Sequence, residues 1–247
     1  MRTSYTQLLQ IPYSEVDSHY RLRPDYVISH FQDITGLHSH EMGVDGPTML
    51  AQSNAFWVLS KIKLKILAFP RFDETVELET WPLVPHGYTY LRDYVIRRDG
   101  KDILLGTSEW CTLDYTDQKP RRVQSVCYPL ELPHRSDRSG TGPFLRIRET
   151  ITDADRHHTH RSSFVDIDSN RHTNNIAYLR MILNTFSPDD FRAFSLSELQ
   201  IQFLSQTYFG DEITIYKKET DYGFYLEGKN EDKSIFLCHL LRSEPET

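Results

Sequence analysis

The stretch F-V-D-I-D-S-N-R-H-T-N-N-I-A-Y-L-R-M-I-L-N-T-F, from Phe164 to Phe186, is the most informative part of this chain of 247 residues. Its first four residues, 164–167, alternate in polarity and predict the end of a strand. Its last part repeats apolar residues at helical spacing between Ile176 and Leu183. A polar cluster separates the two, so the chain is predicted to pass from strand to helix there.

The polar cluster carries a carboxylate, a carboxamide and an imidazole at alternate positions, Asp168, Asn170 and His172. In extended backbone this spacing puts the three side chains on one side of the chain. The helix that follows would turn its N-terminal N–H groups toward them, which favours developing negative charge. The cluster therefore predicts a site where water attacks a carbonyl. The alternative is that it only caps the helix.

The chain contains this arrangement twice. Residues Glu15–Arg21 resemble Asp166–His172 at an offset of 151 (168 − 17), and a predicted helix follows each of them. Further on, Ile62–Leu78 resembles Leu199–Ile215. The repeat predicts a duplicated unit in which one helix covers an antiparallel sheet, so the fold class is α+β.

A Pro- and Arg-rich segment of low hydrophobicity, Pro129–Pro143, separates the two copies. We expect a first unit at residues 1–130, a linker at 131–145 and a second unit at 146–247. The first helix is predicted to begin after Pro24, and Asp99-Gly100 predicts a tight hairpin turn. Alternating apolar residues predict strands at 57–66, 76–81, 88–97, 104–113, 199–204, 213–216, 224–227 and 235–241.

Composition narrows the class of protein. Hydrophobic residues make up 38% and charged residues 26%, which is typical of a globular chain, and the net charge of −7 argues against nucleic acid as a partner. The sequence contains no run of 18 apolar residues, so membrane insertion is not predicted. The N-terminus lacks the pattern of a signal or transit peptide, and the cysteines are few. We therefore expect a cytoplasmic protein with reduced thiols.

Other chemistries find little support. The chain has no G-x-S-x-G, P-loop or G-x-G-x-x-G motif, so no serine-hydrolase site and no cofactor are predicted. The histidines of His157–His160 lack a cysteine or acid at ligand spacing, so no metal site is predicted. Cys238 lies in an apolar strand and is expected to be a core thiol.

Several motifs together resemble the acyl-acyl carrier protein (acyl-ACP) thioesterases, including the plant plastid enzymes. They are W-V-L-S-K at Trp57–Lys61, T-W-P at Thr80–Pro82, R-D-Y at Arg92–Tyr94 and D-x-N-x-H-x-N-N at Asp168–Asn175. The resemblance covers nearly the whole chain. It implies a tandem hot-dog fold whose two units form one continuous sheet, and hydrolysis of acyl-ACP thioesters to free fatty acid, which ends chain elongation.

The resemblance also implies a division of roles. Asp168, Asn170 and His172 would be catalytic, and the first copy, with His19 and Arg21 at the last two positions, would be the substrate-binding half. Four further residues are predicted to contact substrate: Phe31, Trp57, Asn174 and Asn175. For the two asparagines, local hydrogen bonding at the helix start is the favoured alternative. For Trp57, packing in the core is the simplest alternative.

Gln206 departs from the family pattern. The family places a glutamate on a later strand in this context, and here a carboxamide, which cannot act as a general base, occupies the position. We keep Gln206 as a predicted site residue that holds water or a carbonyl. The base would then be His172 or Asp168, and the sequence leaves both open.

The predicted partner is acyl carrier protein bearing an acyl-phosphopantetheine thioester. A bacterial cytoplasmic location follows from the missing transit peptide, and a homodimer is left open. Three alternatives remain: an acyl-CoA thioesterase, a hot-dog hydro-lyase, and a non-catalytic acyl-binding protein. The last follows from Gln206. A hot-dog hydro-lyase would carry its acid and its histidine on different units. It is disfavoured because Asp168, Asn170 and His172 occur together in one motif.

Overall fold

The computed structural model describes residues 2–131 and 134–244. The chain divides into two compact units, the first ending at Gly142 and the second beginning at Pro143. Leu132 and Pro133 of the predicted linker lie outside the described residues. The boundaries predicted at 130 and 146 remain predictions.

The first unit is a helix packed on an antiparallel sheet. Its elements are β1 (Tyr5–Gln10), α1 (Pro24–Glu41), α2 (Gly46–Ser53), β2 (Ala55–Ile66), β3 (Thr75–Pro82), β4 (Tyr90–Arg98), β5 (Lys101–Asp114) and β6 (Pro120–Arg121). The strand order is β1-β3-β4-β5-β2, and β6 pairs with β5. Proline near its start suits α1, because the first helical N–H groups need no partner within the helix. Val27, Phe31 and Ile34, at helical spacing, are completely buried.

The second unit has the same architecture. Its elements are β7 (Arg156–Arg161), α3 (Asn175–Leu183), α4 (Asp190–Ala193), β8 (Ser195–Phe203), β9 (Glu212–Thr220), β10 (Gly223–Asn230) and β11 (Lys233–Ser243). The strand order is β8-β11-β10-β9-β7, with antiparallel neighbours. The predicted class, α+β with a helix and an antiparallel sheet in each unit, is confirmed.

Local signals located most elements correctly. All eight predicted strands are present, and α1 begins at Pro24. Asp99 and Gly100 both have positive φ, 50° and 73°, as the predicted hairpin turn requires. Cys238 is fully buried in β11, as expected for a core thiol, and burial raises its pKa. Across 2–131 and 134–244, no helix has the length and apolar character needed to span a membrane.

The prediction of a strand at 164–167 is wrong. Residues Phe164–Asp166 form a 3-10 turn, in which Phe164 and Val165 point into solvent. The alternation that suggested a strand therefore reflects two exposed apolar residues followed by one buried carboxylate, Asp166. Strands β1 and β7 were not predicted, because their polar sequences lack the alternation of a half-buried strand.

Gly106 on β5 sets how closely α1 approaches the sheet. A Cβ at this position would lie 2.2 Å from Cε2 of Phe31. Phe31 cannot retreat, since its ring is buried and stacked on Tyr94 with centroids 4.3 Å apart. The glycine is therefore required by helix–sheet packing.

We expect Gly106→Ala to lower the free energy of unfolding by about 1–3 kcal/mol through overpacking. The matched control is Gly36→Ala within α1, where a Cβ meets no atom within 4 Å. That change should raise stability by about 0.5–1 kcal/mol, because alanine restricts the unfolded chain. Urea unfolding of both variants measures the difference. Equal stability of the two would contradict the packing role of Gly106.

Candidate active site

The segment that carries Asp168, Asn170 and His172 is a tight turn. Asp168 N–H donates to the His172 carbonyl at 2.9 Å, and Arg171 N–H donates to the Asp168 carbonyl at 3.0 Å. Arg171 has a positive φ of 66°. The prediction of extended backbone with three side chains on one side is therefore wrong, because the turn reverses the chain between Asp168 and His172.

The Asp168 carboxylate builds this turn. Its Oδ1 accepts the backbone N–H groups of Asn170 at 2.8 Å and His172 at 3.1 Å. The first unit has the same turn: Asp17 Oδ1 accepts the N–H groups of His19 and Arg21 at 2.8 and 3.0 Å. The aspartate therefore shapes the loop in both units, and only the second unit displays an asparagine and a histidine on it.

The geometry predicts that the shape of Asp168 matters more than its charge. Asp168→Asn keeps an oxygen for both N–H groups, so kcat for thioester hydrolysis should stay within about threefold of wild type. Asp168→Ala removes two hydrogen bonds of about 1 kcal/mol each and should lower kcat about tenfold or more. Asp17→Asn is the matched control in the first unit. If Asp168→Asn were as inactive as Asp168→Ala, the charge itself would be needed.

A buried hydroxyl cluster joins the turn to the loop after β8. Thr173 N–H donates to the Thr207 carbonyl at 2.8 Å, and the two threonine hydroxyls are 2.7 Å apart. The Tyr178 hydroxyl, on α3, lies 2.9 Å from Thr207 Oγ1. Burial raises the pKa of Tyr178 despite these bonds, so the cluster stays uncharged. His172 and Gln206 immediately precede the two joined threonines.

His172 is half-buried and its ring packs edge-on against Tyr208, with centroids 5.3 Å apart. Gln206 is exposed and lies in the loop after β8, whereas the family pattern had suggested a strand. In the first unit the same two positions are Arg21 and Phe69, whose side chains lie 5.3 Å apart as a cation–π pair. In the first unit the turn and loop thus bring these two positions into contact, and the second unit has the same backbone hydrogen bond between turn and loop.

Asn170 is exposed at the tip of the turn, where its amide is accessible. Asn174 caps α3: its Oδ1 accepts the Ile176 N–H at 2.9 Å. Asn175 is the first residue of that helix. For Asn174 the structure thus contains the local hydrogen bond that was the alternative to substrate contact. Contact of either asparagine with substrate remains a prediction.

Behind the turn, His160 Nε2 lies 2.9 Å from Asp166 Oδ2, which also accepts the N–H of Ser163 at 2.8 Å. Burial would raise the pKa of Asp166, but the hydrogen bonds outweigh it and lower that pKa. This pair supports the 3-10 turn. No group of three or more metal-ligating side chains occurs in the described part of the chain.

Two family models match this sequence. The acyl-ACP thioesterase N-terminal domain matches residues 2–128, and the acyl-ACP thioesterase C-terminal domain matches residues 149–245. The chain belongs to the acyl-ACP thioesterase family. The D-x-N-x-H motif lies in the C-terminal family domain, on the turn described above.

Known relatives agree with this assignment. A chloroplastic oleoyl-acyl carrier protein thioesterase from Coriandrum sativum is 25% identical over 191 residues, covering 70% of this chain and 51% of that protein. The chain spans about half the length of the curated relatives it matches.

Solved structures show the same fold. An acyl-ACP thioesterase from Bacteroides thetaiotaomicron has a TM-score of 0.85 at 22% identity, covering 98% of both chains. A 12:0-ACP thioesterase from Umbellularia californica has a TM-score of 0.87 at 14% identity, covering 99% of this chain and 98% of that one. The likeness over the whole chain confirms the predicted fold class.

In this acyl-ACP thioesterase family member, the predicted substrate contacts of the first unit are packed inside it. Phe31 lies between α1 and the sheet, as described above. Trp57 donates its Nε1–H to the Val44 carbonyl at 2.8 Å and packs edge-on against Tyr90. Both help to form the core of that unit, and a role in lining an acyl channel remains a prediction.

Sequence reasoning missed Tyr208, Thr207 and Tyr178. Tyr178 was hidden among the apolar residues of its helix. Thr207 directly follows Gln206, but threonine occurs in many structural settings, so the pattern does not mark it as a site residue. Only the hydrogen bonds between residues 29 or more positions apart identify the cluster.

Proposed function

We propose that this chain hydrolyses acyl-ACP thioesters to free fatty acid and holo-carrier protein. The observation that carries the proposal is the placement of His172, half-buried, on a turn tied through Thr173 and Thr207 to the loop bearing Gln206. Family membership supplies the reaction class. Carrier protein as partner and a cytoplasmic location are part of the proposal.

The proposed reaction needs a general base, a hydrogen-bond donor to the thioester carbonyl oxygen, and a positioned water molecule. His172 takes a proton from the water molecule while the water oxygen attacks the thioester carbonyl carbon. The Asn170 amide donates to the carbonyl oxygen, which becomes negatively charged in the tetrahedral intermediate. The carbon–sulfur bond then breaks, and the departing phosphopantetheine sulfur receives the proton from His172. Gln206 holds the water or the carbonyl through its amide.

Thiol release from a chain-length series of acyl-ACP thioesters tests the proposal, with acyl-CoA thioesters of the same chains beside them. We expect turnover on the carrier thioesters. Turnover restricted to acyl-CoA would instead indicate an acyl-CoA thioesterase. A fatty-acyl ligand bound without turnover of either substrate would indicate an acyl-binding protein, the candidate that Gln206 favours.

Gln206→Glu should raise kcat about tenfold or more at neutral pH, since a carboxylate on the loop joined to the His172 turn adds a base that the carboxamide lacks. Gln206 is exposed in its loop, so the change should not disturb folding. Gln124→Glu, at an exposed position of the first unit, controls for the added charge. Unchanged kcat in Gln206→Glu would show that this position contributes no base.

A further inference from the structure

Two apolar side chains beside the candidate site are almost fully exposed. Phe164 is 86% exposed and Val165 is 77% exposed, on the 3-10 turn that leads directly into the Asp168 turn. No ring contact is made by Phe164 within the part of the chain that the structure describes. Leaving two adjacent apolar side chains in water forgoes the free energy that burying them would yield.

The corresponding side chain of the first unit, Tyr13, is 66% exposed but belongs to a cluster of three rings. Tyr13, at the position of Phe164, packs edge-on against Phe72 with centroids 5.5 Å apart, and Tyr20 completes a three-ring cluster. In the second unit the position of Tyr20 holds Arg171, and the position of Phe72 holds Phe209, which is 70% exposed. The backbone turns are the same, but Arg171 replaces one ring of the cluster, and among the described residues Phe164 makes no ring contact with Phe209 or with any other side chain.

The replacement also changes the charge. Arg171 stands at the position of Tyr20, whose ring lies 6.3 Å from that of Tyr13 in the first unit, and its side chain is exposed. Arg161, at the end of β7, is exposed, and its Nε–H donates to the Gly210 carbonyl at 3.3 Å. Among the described residues, neither guanidinium has a carboxylate within ion-pair distance. We call Arg161, Phe164, Val165 and Arg171 the Phe164 surface.

We infer that the Phe164 surface docks the acyl carrier protein. This inference rests on the proposed function and names where the partner binds. The chain carries a net charge of −7, which repels an acidic carrier unless cationic groups lie near the site entrance. The Phe164 surface supplies two exposed arginines that have no carboxylate partner among the described residues, and the 3-10 turn bearing Phe164 continues into the turn bearing Asn170 and His172.

Protection of an edge strand against aggregation explains only part of the composition of the Phe164 surface. Charged residues on an edge strand such as β7 prevent edge-to-edge aggregation, and Arg161 fits that role. An exposed phenylalanine and valine do the opposite, because they promote association. A central aromatic anchor ringed by complementary charge is the usual composition of a binding hot spot.

Steady-state kinetics on two substrates with one acyl chain tests the inference: the acyl-carrier protein thioester and the acyl-pantetheine thioester, which lacks the protein. Phe164→Ser should raise KM for the carrier thioester about tenfold and leave turnover of the pantetheine thioester unchanged. Arg161→Glu should weaken carrier binding and reduce its salt dependence. Tyr13→Ser is the matched control in the first unit and should change neither substrate.

Calorimetric titration with the carrier protein separates this inference from the proposed function. If wild type hydrolyses neither thioester, the proposed activity fails. Carrier binding that is lost in Phe164→Ser would still support the docking surface. Equal KM and equal carrier affinity in wild type and Phe164→Ser would overturn it. A change of oligomeric state in Phe164→Ser would also overturn it, in favour of contact with a second copy of this chain.

Discussion

Replacing His172 by alanine should lower kcat for thioester hydrolysis by about 10²–10⁴-fold, the contribution typical of a general base. The variant should fold normally. Among the described residues, the His172 side chain makes no hydrogen bond, and the turn is held by Asp168 and by the backbone at His172, which alanine preserves. KM should change little, because the base acts in the transition state.

Two further variants sharpen this test. His172→Gln keeps a polar side chain of similar reach that cannot take a proton, so it should be as inactive as His172→Ala. His86→Ala, at an exposed histidine of the first unit, should be fully active. Thiol release from one acyl-ACP substrate measures all three. A His172→Ala enzyme within threefold of wild type would remove His172 from the chemistry and leave Asp168 as the candidate base.

The free energy of unfolding should fall by about 3 kcal/mol more between pH 7 and pH 4 in wild type than in His38→Gln. His38 is fully buried at the last turn of α1, and its Nδ1 accepts from the equally buried Arg92 at 3.0 Å. Burial, and next the positive charge of Arg92, lower the pKa of His38 from 6.5 to about 4. The folded protein therefore keeps this imidazole neutral at mildly acidic pH.

The sign follows from proton binding. Between pH 6.5 and about 4 the unfolded chain protonates His38 and the folded chain does not, so acid stabilises the unfolded state in this window. Below about pH 4 both states bind the proton and the effect stops growing. Glu41 favours the charged imidazole, but less strongly than burial and Arg92 oppose it.

Urea unfolding at several pH values measures the difference. His38→Gln can still accept from Arg92 and donate to the Arg2 carbonyl, which His38 Nε2 meets at 3.3 Å, but it does not titrate. His86→Gln, at an exposed position, is the control and should keep the wild-type pH dependence. Parallel pH profiles for wild type and His38→Gln would show that His38 does not titrate in this window.

Expectations from local pattern succeeded where neighbouring residues decide the structure. The Asp99-Gly100 turn depends on two residues that accept positive φ. Helix α1 depends on Pro24 and on apolar residues at helical spacing. The pattern failed at Phe164–Ile167, where alternation gave no indication that the apolar residues face solvent.

The candidate site shows the same division. The motif and the repeat singled out Asp168, Asn170 and His172, but the spacing alone suggested a row of three side chains. The observed turn needs a left-handed Arg171 and an aspartate bonded to two N–H groups, and both also occur in the first unit with Tyr20 and Asp17. Comparing the two copies in more detail could have indicated that this aspartate serves the turn.

By itself the sequence determined the repeat, the class of fold, the family and the three polar residues of the motif, because each depends on short-range spacing or on matching residue types. The tertiary structure decided which residues contact one another. Thr173 contacts Thr207 across 34 residues, and that contact places His172 beside the loop of Gln206. The exposure of Phe164, beside an arginine that replaces one ring of the first unit's cluster, likewise becomes visible only when the folded units are compared, because solvent exposure depends on distant parts of the chain.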